Sequence, residues 1–415
     1  MSDIPLLLLI LLLIAVLLRV DFVFYIVYVL AGAYLLARWW TGRSFPRLHV
    51  QRRFTDHIFL GETSRVEIEI VNTSWWPVPW LRIEETPPLN ISTGAAVHQV
   101  IALRPKERVA VHYELQGRQR GYYPIGPTAM SAGDLFGFAE AQGRLETLDH
   151  LTVYPRVIPL THVDLASRAP HGTIRSQQPI FADPARVMGK RDYQRGDPPR
   201  AIDWKSSAHA RQLQVKKYEP AVSLTSVIFL DLSARAYTPQ LRFNASEWAI
   251  VVAASLANAL VDERQAVGLG CNGADPLTGV TRWTIPPRPG RVHLMKLLEW
   301  LARVETTDLP PLAEWLPTAT LGLGWGDTVI AISPTGDEET CRAMHRLLRA
   351  GLNPVLVVAE PHGQFGIIRE RARQLGVAAH LVANESDLKR WGAGQRVRGA
   401  PELARPGQTA QGMVP

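Results

Sequence analysis

The spacing of apolar residues changes character twice along this chain. Ile4 to Leu18 is apolar save for Pro5, and Phe22 to Ala37 nearly so, with Arg19-Val20-Asp21 between them. One helix over that whole stretch would reach about 50 Å, well past the roughly 30 Å of bilayer hydrocarbon. The polar break therefore predicts a transmembrane helical hairpin within residues 1–40, its first arm short. A cleavable signal peptide wants a basic leader, and this chain opens Met1-Ser2-Asp3. Trp39 and Trp40 stand where an interfacial aromatic belt belongs, and Arg38, Arg43, Arg47, Arg52 and Arg53 surround and follow them. Positive charge on that side places the rest of the chain in the cytoplasm.

From residue 45 to 160 the rhythm is two. Arg65–Val71 alternates cleanly and ends in the turn residues Asn72-Thr73-Ser74. Further strands are expected at Leu81–Glu85, Val97–Leu103, Arg108–Leu115, Pro127–Ala132 and Leu151–Tyr154. Strands at this spacing predict an immunoglobulin-like β-sandwich. Trp75-Trp76-Pro77-Val78-Pro79-Trp80 reads as filling a sandwich end or resting on the membrane interface, with an aromatic ligand platform as the alternative.

Residues 161–188 are rich in Pro, Ser and charge without apolar periodicity, and read as a linker or strap. Residues 189–220 form a separate, charge-dense segment at the boundary. From 221 to 390 the rhythm alternates between short apolar runs and helical spacing. Strands are expected at Ser226–Asp231, Val267–Cys271, Thr328–Ile332, Pro354–Ala359 and His380–Val382. Helices are expected from Asn244, with Glu247 as its capping-box partner, to Glu263, and at Val292–Val304, Glu338–Arg349 and Ile367–Leu375. That alternation predicts an α/β, Rossmann-type domain with a mostly parallel sheet. Residues 391–415, rich in Gly, Pro, Gln and Arg, are expected to be a disordered tail. The chain as a whole is thus multi-domain.

Charge and composition narrow the function classes. A net charge of +7 on 415 residues is spread along the chain rather than gathered in a stripe, apart from the cluster after the apolar segment. That placement suits an anionic membrane surface and gives no footprint for nucleic acid. Two distant cysteines, Cys271 and Cys341, exclude a disulfide framework and a cysteine zinc site. The sequence holds no G-x-x-x-x-G-K-[ST] loop, H-E-x-x-H or G-x-S-x-G. Gly268-x-Gly270-x-x-Gly273 matches the dinucleotide fingerprint in form, but its glycines start inside a strand and Asp275-Pro276 comes next, where a helix should open.

The densest chemistry lies in Gly189 to Ala208. Lys190, Arg191, Asp192, Arg195, Asp197, Arg200, Asp203 and Lys205 alternate in sign around Tyr193 and Trp204. Gly196 allows a sharp turn, and Pro198-Pro199 stiffen the backbone just after it. Three readings stay open: a clasp of ion pairs, a docking surface for a partner, or a catalytic site.

The spaced set Arg191, Tyr193, Gly196, Asp197, Arg200, Ile202, Asp203, Trp204, Lys205, Ser207 and Ala208 resembles the signature of the bacterial family called domain of unknown function 58. His209 stands where that pattern usually has Arg. Arg120-Gly121-Tyr122-Tyr123-x-x-Gly126-Pro127 and Asp134-Leu135-Phe136-Gly137 resemble the family's other signatures. The resemblance implies a non-enzymatic adaptor in the bacterial plasma membrane, acting beside a MoxR-type AAA+ ATPase in assembling or maturing protein complexes. An envelope scaffold without an ATPase and a divalent-metal hydrolase are the alternatives.

Asp231-Leu232-Ser233-Ala234-Arg235 resembles the start of a von Willebrand factor A-type metal site, with Arg235 where an oxygen ligand should stand, and the resemblance implies a von Willebrand factor A-like fold for residues 221–390. Asp231, Ser233 and Asp337 would be the ligands, and Mg²⁺ the ion. The other reading of Asp231 is a helix cap or a partner for Arg235.

Overall fold

The computed structural model describes residues 3–18, 21–94, 97–160, 182–194, 202–220, 225–360 and 365–392. Of the expected linker 161–188, residues 161–181 lie outside the described residues, and the rest is not a linker but the start of a strand, Ala182–Asp192. Of the expected tail, residues beyond 392 lie outside them, and 391–392 end a helix, Glu385–Gly392. The chain divides into two compact units, one formed by Met1–Val157, Asn272–Trp283 and Arg291–Leu309, the other by the remainder.

The first unit begins with two separate helices, α1 (Asp3–Leu18) and α2 (Asp21–Ser44). With the short turn after it, α2 is long and apolar enough to cross a membrane, whereas the apolar part of α1, Ile4–Leu17, is shorter. Ten strands come after them: β1 (Leu48–Arg53), β2 (His57–Phe59), β3 (Thr63–Asn72), β4 (Val78–Glu85), β5 (Val97–Leu103), β6 (Arg108–Gln116), β7 (Gly121–Ile125), β8 (Thr128–Gly133), β9 (Glu140–Leu145) and β10 (Asp149–Tyr154). They form sheets in the orders β1-β3-β6, β5-β4-β8-β9 and β2-β10-β7.

Strict alternation on β3 explains the layering. Val66, Ile68 and Ile70 all point inward. Ile68 and Ile70 share a core with Leu81 and Ile83 of β4 and Leu103 of β5, while Val66 shares one with Ile125, Leu151 and Val153. One face of the central sheet thus covers both other sheets.

A buried cation ties the layers together. Arg52 on β1 donates to Glu85 Oε1 at 2.8 Å, Asp149 Oδ2 at 2.6 Å, Thr128 Oγ1 at 2.7 Å and the Ile125 carbonyl at 3.2 Å. Burial pushes the Glu85 carboxyl up, and Arg52 pulls it back only in part.

The second unit opens with β11 (Ala182–Asp192), α3 (Trp204–Ala210) and β12 (Gln214–Pro220), the two strands pairing antiparallel. Then come β13 (Thr225–Leu230), α4 (Arg242–Asp262), β14 (Ala266–Ala274) and β15 (Thr281–Arg288). The helix after them, α5 (Arg291–Arg303), belongs by its contacts to the first unit, where it packs on β10 and β7. Arg120 donates to the carbonyls of Leu301, Ala302 and Val304 at 3.0–3.2 Å, capping the negative end of α5. The second unit continues with α6 (Leu312–Ala319), β16 (Thr328–Ser333), α7 (Glu338–Arg349), β17 (Asn353–Val358), α8 (Phe365–Gln374), β18 (Ala378–Leu381) and α9 (Glu385–Gly392).

Its sheet runs β15-β14-β13-β16-β17-β18, and the pairings from β14 to β18 are all parallel. Numbered within the sheet, that is the doubly wound order 3-2-1-4-5-6. Val227, Phe229, Val329, Ala331 and Leu356 face α6, α7 and α8 on one side. The intervening Ile228, Leu230, Ile330 and Ile332 are buried as well, which is why these strands read as continuous apolar runs rather than alternating ones. Most of α4 is buried too, so its apolar length marks a core helix rather than a span. The expected capping box is not its start: α4 begins at Arg242, with Leu241 at the cap position and no side-chain cap.

Candidate functional site

Two places in the second unit gather the residues that the sequence singles out. The first is the connection between β11 and β12. Asp203 accepts the Ser206 N–H at 3.1 Å and so caps α3, while Arg211 closes that helix in the left-handed region at φ 52°. The Asp203 N–H donates to the Gln214 carbonyl, and the Tyr193 N–H to that of Leu213, both at 2.8 Å. Ser207 donates its hydroxyl to the Asp203 carbonyl at 2.8 Å and accepts the Gln214 N–H at 2.8 Å. Lys190 pairs with Asp203 Oδ2 at 3.2 Å and also reaches the Ser206 hydroxyl. The Ser206 amide first, and then Lys190, hold the Asp203 carboxyl down at about 2.

This clasp fixes a short helix whose outer side chains are free to meet a partner. Trp204 is 67 % exposed, Tyr193 36 %, and Lys205 is exposed beside them. Gly196, Asp197 and Arg200 lie outside the described residues, as does the side chain of Arg191. The expected helical pair of Arg200 with Asp203 falls outside them for the same reason. Lys190 is the described cation on Asp203, and neither it nor Ser207 stands out as a site residue by spacing alone. Lys190 reaches Asp203 through the pairing of β11 with β12, whereas Ser207 lies one turn further along the same helix.

The second place is the carboxyl edge of the parallel sheet, at the point between β13 and β16 where the strand order reverses and open sheets place ligands. Asp231 comes directly after β13, and Ser333 ends β16. Asp231 is buried, with Oδ1 accepting the Ser233 N–H at 3.0 Å and Oδ2 accepting the Leu312 N–H at 3.1 Å. Tyr237 donates to the Asp231 carbonyl at 2.7 Å, and burial pushes its phenol well above the ordinary range. Ser233 Oγ accepts the Arg235 N–H at 3.3 Å. Asp337 accepts the Thr340 N–H at 2.8 Å and caps α7.

These residues do not fit the Mg²⁺ site that the loop resembles. A magnesium ion needs oxygens whose lone pairs face a common point. Both Asp231 oxygens instead satisfy backbone donors, and Asp337 is turned to its own helix. Among the described residues no three His, Cys, Asp or Glu side chains converge in a way that could hold a metal. The helix-cap reading of Asp231 describes its geometry.

The dinucleotide-like glycines serve packing within the sheet. A Cβ on Gly268 would come within 2.9 Å of the Ile285 carbonyl, and one on Gly270 within 2.6 Å of the Phe229 ring. Both are places where only a bare backbone fits.

A β-rich unit with an apolar N-terminal helix, then a capped aromatic motif ahead of a doubly wound α/β sheet, defines the class of protein. The family described as "Protein of unknown function DUF58" matches residues 189–322. The "Uncharacterized protein YeaD" of Bacillus subtilis (strain 168) is 25% identical over 260 residues, covering 61% of this chain and 62% of YeaD. The match thus spans less than two thirds of that relative's length. Among solved structures, a von Willebrand factor type A protein from Catenulispora acidiphila aligns with 43% of this chain and 43% of its own, at 12% identity and a TM-score of 0.29. The CARDB domain of a Pyrococcus furiosus protein aligns with 26% of this chain and 91% of its own, at 17% identity and a TM-score of 0.19. The α/β fold is defined by its strand order and not by these likenesses.

Proposed function

We propose that this protein is a membrane-anchored, non-enzymatic adaptor that binds partner proteins through the β11–β12 motif. Its anchor is an N-terminal hairpin of α1 and α2 in the plasma membrane, with the folded units on the cytoplasmic side. The observation that carries the reading is Trp204, two-thirds exposed yet mounted on a helix pinned by Asp203, Lys190 and Ser207. Exposed aromatics on rigid supports beside basic residues are the usual energetic centres of protein interfaces. The apolar length of α2, with Trp39, Trp40, Arg43 and Arg47 at its end, supports the anchor and its orientation.

The partner proposed from the family resemblance is a MoxR-type AAA+ ATPase, with this chain helping it to assemble or mature protein complexes. The test is capture of that ATPase by the full chain in detergent, comparing Trp204→Ala with the unsubstituted protein. Trp204 is exposed, so the variant keeps its fold. Capture weakened by about tenfold or more is expected for a residue at the centre of an interface. Undiminished capture by the variant removes the motif from the interface, and no capture by either protein leaves a scaffold that works without an ATPase.

A further inference from the structure

The end of the β-sandwich nearest α2 carries an apolar surface that the adaptor reading does not use. Strand register places three loops at this end. Asn72 pairs with Leu48, the first residue of β1 after α2; Val78 pairs with Leu103, and Trp80 with Gly133. The loops 73–77, 104–107 and 134–139 therefore cluster where α2 enters the sandwich.

Two of these loops hold large apolar side chains out into solvent by construction. Asp134, itself buried, accepts the Phe136 N–H at 2.8 Å and the Ala139 N–H at 2.7 Å, and its carbonyl accepts Trp80 Nε1–H at 2.9 Å. The turn so fixed leaves Leu135 79 % and Phe136 74 % exposed. Trp75, in the loop between β3 and β4, is 77 % exposed. A tight turn that spends a buried carboxylate to display Leu and Phe has no use in covering the sandwich core.

The helix itself joins this surface. Trp40 Nε1–H donates to the Pro77 carbonyl at 2.8 Å, and the Trp76 ring meets those of Trp39 and Trp40 at 5.3 and 5.2 Å. The end of α2 also packs on β8 and β9, whose connecting loop is 134–139. Cations stand over the aromatics: Arg43 over Trp39 at 5.2 Å and Lys106 over Trp75 at 5.3 Å.

We propose that this end of the sandwich is a lipid-binding surface that lies in the headgroup region of the same membrane that α2 crosses. Leu135, Phe136 and Trp75 enter the interface, while Arg43 and Lys106 meet anionic headgroups. Two observations favour lipid over a protein partner. The patch is continuous with the point where the spanning helix leaves the hydrocarbon, and it pairs amphipathic rings with basic groups, as interfacial segments do. The consequence is mechanical: the β-rich unit is held against the bilayer rather than swinging on its helix.

This inference rests on α2 being a membrane anchor, and the test separates the two. The full chain is reconstituted into phosphatidylcholine vesicles containing phosphatidylglycerol, with Phe136→Cys carrying a fluorescent label. Arg118→Cys, an exposed position in the turn at the opposite end of the sandwich, is the control. The natural Cys271 and Cys341 are buried and stay in place. The label at 136 should be quenched by a nitroxide attached near the lipid headgroup and lose its quenching by aqueous iodide; the label at 118 should behave in the opposite way. Equal iodide quenching at both positions, in protein that resists carbonate extraction, overturns the lipid surface while leaving the anchor standing. Shielding from iodide without nitroxide quenching also overturns it, because a protein then covers the patch. Release by carbonate is the failure of the anchor itself.

Discussion

Asp231 accepts the backbone N–H of Leu312 at 3.1 Å, across 81 residues of chain. The carboxylate that stands first in a metal-site-like loop is therefore the cap of α6, a helix whose own preceding residue, Pro311, offers no side-chain acceptor. Asp231→Ala leaves two buried N–H groups, those of Ser233 and Leu312, without this acceptor. Each unsatisfied buried donor costs about 1–3 kcal/mol. Denaturant unfolding should show the transition of the α/β unit weakened by at least that amount, whether or not magnesium is present.

The same geometry predicts indifference to the ion. A ligand that binds only the folded state at a hundred times its dissociation constant stabilises by roughly 2.7 kcal/mol. Millimolar magnesium should leave the thermal midpoint where it is. A reproducible upward shift, absent in Asp231→Ala, would restore the metal reading.

Arg52 is the strongest candidate for a stability defect in the first unit. Its side chain is 1% exposed and its partner Glu85 fully buried, so removing the guanidinium strands a charge inside the sandwich. Breaking such a buried pair costs about 3–5 kcal/mol. Arg52→Ala should unfold the β-rich unit at markedly lower denaturant. Arg52→Lys should rescue little of this, since one ammonium cannot fork to Glu85, Asp149 and Thr128 together.

Asp203 makes a testable pH signature. Its folded value of about 2 lies below the ordinary 3.8. For an acid with a depressed value, the stabilising contribution is complete above 3.8 and is lost as pH falls through about 2. Carbon-detected NMR of labelled aspartate should find the Asp203 carboxyl titrating near that lower value, with the Ser206 amide shifting alongside it. A midpoint in the usual aspartate range would mean that the cap does not form in solution.

Gly268→Ala should destabilise the α/β unit although it adds one methyl group. The obstruction is backbone, the Ile285 carbonyl and the Pro287 nitrogen at 3.0 Å, and backbone cannot swing aside as a long side chain can. Overpacking of this kind costs typically about 1–3 kcal/mol. A neutral result in thermal unfolding would show that β15 yields at that point.

Much of the second unit could be read from spacing. The expected helix Glu338–Arg349 matches α7 residue for residue, because its apolar face repeats at helical spacing between an Asp cap and two terminal arginines. Of the strands that spacing missed, three have local reasons: β2 is three residues long, β7 carries Pro124, and β9 lies at a sheet edge with no fully buried position to set an alternation. The helix α6 was hidden by Pro317 inside it.

What the order of residues determined by itself is the kind of element that the strongly periodic stretches form, together with the spaced motif, since apolar period, caps and turn residues act within a few positions. Tertiary structure alone decided the partners: Leu312 for Asp231, Lys190 for Asp203, Glu85 and Asp149 for Arg52, and β10 as the support for α5. Each of these depends on strand register and chain return over tens of residues. A hydrogen-bond acceptor takes whichever donor the fold brings within about 3 Å of it, and no local spacing encodes which one that is.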